Sequence, residues 1–395
     1  MEIDLTMKPK FWILSELFFP EETSTAYIMT EIAKQLSLKY DVHVIAGSPM
    51  YYSSPGYDDN LLSGVTIHRI AGMKVNKNNI IGRVFRTLCL SVSVKKILKD
   101  HAKNDDRILM VTNPPLFMLF IPPFTKKRNL KLTVLVHDVF PDNMINTGIY
   151  GRNIIYSLLK KIFQYCYQLV DNIIVCGHDM QKIIEGKIRA KGIPVYTLEN
   201  WGDVERIFPE NSIISQRIVI QFCGNFGRVQ GLLNFLQILS CVQNPNIQII
   251  FQGSGALKVK MKKMVKELKL TNVSFFPSYP RSEENKILNS FDIGLVTLDD
   301  SMWGLGVPSK AYNIMAAGKP ILFVGPKGSE IYTMVKENGI GFAYSFSEKD
   351  EIINFFNSIT IDYRGNLRVL GAKARHIVKS RYTKKIFLEK LAQII

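Results

Sequence analysis

The sequence predicts an α/β protein made of two facing Rossmann-like, doubly wound domains with an interdomain cleft. Three observations predict it. Short apolar runs alternate with longer amphipathic segments, and the alternation restarts midway along the 395 residues. Between the two series lies a stretch that fits neither period. Strands alternating with helices imply parallel sheets covered on both faces. A chain of this length exceeds one compact core, and two units of about 200 residues suit the usual domain size.

In the first series the apolar runs fall at residues 12–14, 42–46, 108–111, 132–136 and 173–175. Between them Ile28, Ile32 and Leu36 recur at helical spacing, with Glu31, Lys34 and Gln35 on the opposite side. In the second series the runs fall at 218–222, 247–251, 273–276, 293–296 and 321–324. Trp201-Gly202-Asp203 and Phe208-Pro209-Glu210-Asn211 break both periods and mark the joint. The expected domains are 1–203 and 204–378; 379–395 forms a C-terminal helix packing back toward the first domain. In doubly wound sheets ligands bind at the carboxyl ends of the strands, so the site is expected in the cleft.

Composition narrows the function classes. A hydrophobic share of 47% with 21% charged residues is that of a globular chain. The longest apolar stretch, 109–124, is interrupted by Asn113, Pro114–Pro115 and Pro122–Pro123, so no spanning helix is expected. The opening MEIDLTMKPK lacks a basic region followed by an apolar one, which argues against a secretory signal. Cys89, Cys166, Cys176, Cys223 and Cys241 are scattered in apolar surroundings without a CxxC pair, as in a reducing compartment. The net charge of +16 suits a polyanionic partner. Lys95–Lys96, Lys126–Lys127–Arg128 and Lys160–Lys161 border apolar stretches in the first half, with Lys262–Lys263 in the second. The segment 83–98, with Arg83 and Arg86 at one end, Lys95 and Lys96 at the other and Phe85, Leu88 and Leu90 between, suits a helix at a lipid interface or an ordinary core helix. The expectation is a cytoplasmic protein, peripheral on an anionic membrane surface through its basic N-terminal domain.

Two motifs carry chemistry. In Phe222-Cys223-Gly224-Asn225-Phe226-Gly227-Arg228-Val229-Gln230-Gly231 a buried strand ends, a glycine-rich turn follows and a helix begins. Glycines at 224, 227 and 231 let backbone N–H groups approach an anion, and the helix N-terminus adds partial positive charge. Arg228 can grip a diphosphate in bidentate fashion, or simply lie on the surface. In the second motif, residues 306–320, Ser309 follows Pro308 as an expected N-cap and Gly318 followed by Pro320 stops the helix. Lys310 in the first turn opposes the helix dipole, a penalty that a bound phosphate removes.

Together these motifs resemble the donor-binding half of GT-B glycosyltransferases of family GT4. Met315-Ala316-Ala317-Gly318-Lys319-Pro320 is similar to that family's "AAGKP" run. Gly253-Ser254-Gly255 resembles its "GxG" turn, and Gly325 to Glu330 resembles the turn before the next helix. In the first half, Phe18-Phe19-Pro20-Glu21 with Thr23-Ser24-Thr25 resembles the acceptor-side loop. His137-Asp138-Val139-Phe140-Pro141-Asp142 resembles the stretch between the facing loops, and Asn200-Trp201-Gly202-Asp203 resembles an "NWxD" hinge. The combined pattern is similar to transferases of bacterial surface polysaccharides, such as colanic-acid, O-antigen and N-acetyl-L-fucosamine transferases. The pattern also departs from the family. Asn225 and Gln230 stand where many members carry Arg and Lys, and Leu305 and Asn313 where many carry two glutamates.

The resemblance implies a retaining transferase that moves a sugar from a UDP-sugar to a polyprenyl-diphosphate-linked saccharide, with no cofactor and no metal. Its implied catalytic residues are His137, Asp138, Arg228 and Lys310, the last two replacing the absent cationic pair. Implied donor contacts are Gly224, Asn225, Gly227, Gly253, Ser309, Asn313 and Glu330 beside Arg228 and Lys310; implied acceptor contacts are Glu21, Ser24, Thr25 and Asp142. Each has a plainer reading: His137 as a loop fastener, Ser24 or Thr25 as an N-cap, Glu330 as a first-turn acid favoured by the dipole. The six histidines are far apart in sequence and no Asp-x-Asp occurs. No carboxylate pair presents itself as nucleophile and acid, so front-face substitution is expected, the leaving phosphate taking the acceptor's proton. Rivals are a soluble epimerase of the same architecture, needing no lipid-facing surface, and a nucleic-acid binder, whose cations should form a stripe with interleaved aromatics. No such stripe is present, so no nucleic-acid partner is expected.

Overall fold

The computed structural model describes residues 8–49, 62–71, 80–146, 153–188, 192–210 and 215–395. Most of the N-terminal decapeptide, the Arg83 side chain and Asn211 of the predicted joint lie outside them.

The first lobe runs β1 (Lys10–Leu14), α1 (Ser24–Ser37), β2 (Asp41–Gly47), β3 (Val65–Ile70), α2 (Ile80–His101), β4 (Arg107–Val111), α3 (Phe117–Lys127), β5 (Lys131–Val136), α4 (Asp142–Asn146), α5 (Ile154–Tyr167), β6 (Asn172–Val175), α6 (His178–Ile188) and β7 (Val195–Thr197). Its sheet has the order β3-β2-β1-β4-β5-β6-β7, every pair parallel.

The second lobe runs β8 (Ile218–Asn225), α7 (Leu232–Leu239), β9 (Ile247–Ser254), α8 (Lys258–Glu267), β10 (Val273–Phe276), α9 (Glu284–Asn289), β11 (Ile293–Thr297), α10 (Lys310–Ala316), β12 (Ile321–Val324), α11 (Glu330–Asn338) and β13 (Gly341–Tyr344). It ends in α12 (Lys349–Ser358), α13 (Arg364–Arg381) and α14 (Lys384–Ile394). Its sheet order, β10-β9-β8-β11-β12-β13, is also wholly parallel. In both sheets the strand order reverses beside the first strand, at β1/β4 and β8/β11. This is the two-lobed GT-B fold.

The central strands are buried on both faces, as parallel sheets require. Trp12 is fully buried, and its indole N–H is satisfied by Asp106 at 2.8 Å. In α7, Leu232, Phe235, Leu236 and Leu239 are buried against the second sheet, each contributing about 1.5–3 kcal/mol by leaving water. The strands that sequence patterning passes over are edge strands: β3, β7 and β13 are half-exposed, so their apolar runs are diluted.

The C-terminal helix crosses back to the first lobe. Gly202 N–H donates to Tyr382 C=O at 2.9 Å, Phe387 of α14 meets Trp201 at 4.6 Å, and Lys384 pairs with Glu31 of α1 at 2.9 Å. Gly202 has no room for a side chain, since a Cβ there would lie 2.5 Å from Tyr312 C=O.

Candidate active site

Two adjoining chambers open between the lobes. The larger, about 440 Å³, has Glu22, Ser24 and Tyr27 on one wall and Gly224, Asn225, Arg281, Glu284, Lys310 and Asn313 on the other. The smaller, about 180 Å³, is lined by Thr25, His137 and Asp138. Ser24, Gln230 and Ser309 line both.

Lys310 is the principal cation of the larger chamber. It opens α10, and its ammonium lies 3.5 Å from the centre of the Phe222 ring. Gly224, at φ +129°, brings the end of β8 so close that a Cβ would lie 3.2 Å from Lys310 Nζ. No carboxylate pairs with Lys310 among the described residues, and loss of water lowers its pKa to about 7. The end of α10 is an ordinary Schellman stop, with Lys319 N–H on Ile314 C=O and Gly318 N–H on Met315 C=O. Its start differs from expectation. Ser309 is already helical, at φ −62° and ψ −21°, and its hydroxyl makes no capping bond. Ser309 is therefore a wall residue rather than an N-cap.

His137 and Asp138 follow β5 at its carboxyl end, as their position after an apolar strand predicts. His137 Nε2 is buried without a hydrogen-bond partner, and burial lowers the ring's pKa to about 4, so the imidazole is neutral. Asp138 does not orient it. The Asp138 carboxylate accepts from Asn143 Nδ2 at 2.8 Å, and burial raises its pKa to about 6. Main chain joins the lobes here: Val139 N–H donates to Leu305 C=O at 3.0 Å, and Asp138 forms a bridge with Gly306.

Several predicted contacts lie elsewhere. Arg228 begins an exposed turn, Arg228–Gln230, and lines neither chamber. Gly227 has φ −82°, an ordinary value, and also lines neither. Gly253, at φ +147°, serves strand packing: a Cβ would lie 1.9 Å from Gly224 C=O. Glu330 is buried at the start of α11, where one oxygen accepts from His178 N–H at 2.8 Å and lies 3.1 Å from His178 Nδ1. It fastens the second lobe to α6 of the first. Asp142 is taken by Lys187 and by Tyr156 Oη at 2.9 Å. Glu21 is buried behind the wall, and its neighbour Glu22 lines the chamber instead. Asn313 lines the chamber but is spent on structure, accepting from Asp203 N–H at 3.1 Å and donating to Glu284 at 2.9 Å. Of the two hydroxyls proposed for the acceptor loop, neither is the N-cap of α1; Thr23 caps it, accepting from Ala26 N–H. Distance in sequence also misleads for the histidines. His178, Glu199 and Glu330 converge within 4.8 Å, although Glu330 is already engaged by His178.

Sequence reasoning gave Gln230 no role of its own and missed Tyr27, Arg281 and Glu284. Tyr27 Oη donates to Asp203 at 2.7 Å, and the Arg281 guanidinium stacks 3.6 Å from the Tyr27 ring centre. Arg206 joins Asp203 at 3.0 Å to Glu284 at 2.6 Å. No motif marks these positions; only the fold assembles them.

The fold and chambers define a sugar-transferase architecture. Residues 203–376 match the family model "Glycosyl transferases group 1". The chain is 30% identical over 98% of its length to "Probable glycosyltransferase WbjE" of Pseudomonas aeruginosa, covering 97% of that protein. It is 25% identical over 54% of its length, and 56% of the other's, to WcaI of Escherichia coli (strain K12), a protein named for colanic acid biosynthesis. The structure of Anabaena Alr3699/HepE in complex with UDP and glucose superposes with a TM-score of 0.71 at 13% identity, covering 98% of this chain and 99% of that one. This chain belongs to the group 1 glycosyl transferases.

Proposed function

We propose that the protein transfers a sugar, with retention, from a UDP-sugar to a lipid-linked saccharide during bacterial surface-polysaccharide synthesis. The observation that carries the reading is Lys310: a desolvated ammonium with no protein counterion, lining an interlobe chamber, beside Gly224 near the end of β8. A nucleoside diphosphate supplies the missing charge. As the glycosidic bond breaks, negative charge grows on the diphosphate, and a fixed cation in a dry site favours that state most. The assignment of Arg228 to the diphosphate is withdrawn, because it lines neither chamber.

The neutral imidazole of His137, in the smaller chamber, is suited to hydrogen-bond a sugar hydroxyl near the reacting carbon. It does not compete as a base, since its pKa lies near 4. The leaving phosphate oxygen then receives the acceptor's proton on the same face. The UDP complex of HepE and the name of WcaI support the donor and pathway parts of the reading.

The acceptor's lipid is served by one face of the first lobe. On α5 an outward stripe of Ile154 (88% exposed), Ile155, Leu158, Ile162 and Tyr165 and, on α2, an equivalent stripe of Val84, Phe85, Leu88 and Val92 belong to the two helices that pack against α3. Exposed Lys95, Lys96, Lys126 and Lys127 flank them. Apolar residues ringed by cations suit an anionic interface. One expected cation is excluded: Arg86 is buried and paired with Glu16 at 3.2 Å. No helix among the described residues is long and apolar enough to cross a membrane.

Incubation with a panel of UDP-hexoses and UDP-N-acetylhexosamines plus polyprenyl-diphosphate saccharides, read by mass spectrometry, tests the reaction. An extended lipid-linked product with its anomeric configuration preserved is expected. Epimerised nucleotide sugar without transfer refutes it.

A further inference from the structure

The larger chamber holds Lys310 on one wall, and Gln230 presents it with a neutral acceptor. Gln230 ends the short turn that follows β8. Its backbone is firmly placed. Gln230 N–H donates to Gly227 C=O at 3.3 Å, and Asp299 N–H holds Val229 C=O at 2.9 Å. The next residue, Gly231, has φ +65° and lies so close to Phe346 that a Cβ would be 2.7 Å from the ring. The side chain is thus projected from a rigid corner.

Gln230 Oε1 is buried and has no hydrogen-bond partner. The residue lines both chambers, with Lys310 and Gly224 on one side and His137 on the other. A buried carbonyl oxygen without a donor is rare in folded proteins and points to a ligand group. An amide oxygen repels a phosphate oxygen, so the missing partner is not the diphosphate. It must carry an O–H or N–H and sit between the cation and the imidazole.

We infer that Gln230 is a specificity-determining residue whose Oε1 accepts a hydrogen bond from a hydroxyl or acetamido N–H of the transferred sugar. This rests on the proposed reading of the chambers as a nucleotide-sugar site. The Gln230 amide carries no charge. A neutral acceptor here shifts contact from phosphate to sugar, and Lys310 remains to hold the charge.

The test uses the full chain, UDP, the UDP-sugar selected by the product screen, that sugar's monodeoxyfluoro analogues and, for an acetamido sugar, the analogue with an acetate ester in place of the amide. Fluorine accepts weakly and cannot donate, so it removes the predicted partner while keeping the size. Wild-type protein should lose about 10–100-fold in kcat/KM with one analogue and far less with the others. An effect confined to a fluoro analogue identifies a hydroxyl; one confined to the ester analogue identifies the acetamido N–H. Gln230→Leu should lower kcat/KM for the parent sugar by a similar factor and lose the discrimination, while its Kd for UDP stays within about threefold of wild type. Gln230→Glu, which keeps an acceptor, should retain the discrimination. The inference is overturned if Gln230→Leu still discriminates as wild type does, or if it weakens UDP as much as it lowers kcat/KM. Failure of wild-type protein to bind UDP at all would instead overturn the donor-site reading on which it rests.

Discussion

Replacing Lys310 by methionine should weaken donor binding and also erase its dependence on pH. In the free protein the ammonium has a pKa of about 7, because the chamber strips its water and neither carboxylate on its walls, Glu22 or Glu284, pairs with it. A bound diphosphate restores the charged form and moves the pKa back toward its ordinary value of 10.5. Between these values each donor bound takes up about one proton. At pH 8 about one-tenth of the free protein carries the charge, so Kd should be about tenfold weaker than well below pH 7. At pH 9 the factor is about 100, each decade being worth about 1.4 kcal/mol. A UDP-sugar is the better probe than UDP, since a terminal phosphate itself titrates near pH 6. Calorimetry at several pH values, in buffers of different ionisation enthalpy, reads both Kd and the proton count. Lys310→Met should bind weakly with a flat profile, and Lys310→Arg, which stays charged, should show no loss above pH 7. Stability of the free protein carries the opposite sign. The unfolded chain keeps this proton up to about pH 10.5 while the native chain releases it near 7, so stability rises with pH across that window. A proton uptake that survives in Lys310→Met would refute the argument.

Three further predictions follow from the geometry. His137→Ala should reduce kcat by about 10–100-fold with UDP affinity unchanged, measured by single-turnover kinetics and calorimetry; equal loss in both would place the ring on the nucleotide. Gly231→Ala, forced into φ +65° against Phe346, should cost about 1–3 kcal/mol in urea unfolding and raise donor KM; unchanged stability would contradict the observed turn. Replacing Ile154, Leu158 and Ile162 together by serine should abolish flotation with phosphatidylglycerol vesicles while leaving UDP affinity intact; undiminished flotation would remove α5 from the membrane face.

The fold was legible because its signals are local. Apolar runs located the central strands, and Gly318 marked the end of α10 through its left-handed turn. Edge strands such as β3 were not legible, since half of their residues face solvent. For the site, sequence could reveal groups at strand ends, such as His137, and the unfavourably placed Lys310. It could not show which side of a turn a residue takes: Arg228 and Gln230 are two positions apart, yet one lies outside the chambers and the other lines both. Nor could it show that Asn313 and Glu330 are spent holding the lobes together, because their partners, Asp203 and His178, are 110 and 152 residues away.

The seam between Val139 and Leu305, with the bridge from Asp138 to Gly306, consists of peptide groups rather than side chains. The gap across which atoms must meet is therefore gauged by backbone and is insensitive to most substitutions around it. Chemistry at the walls can be rewritten, one side chain at a time, without resetting that gauge. Position 306 itself is nearly as forgiving: a methyl group there would lie 3.3 Å from the Asp138 carboxylate and 3.6 Å from His137 C=O, a crowding that a few tenths of an ångström of movement by one side chain relieves.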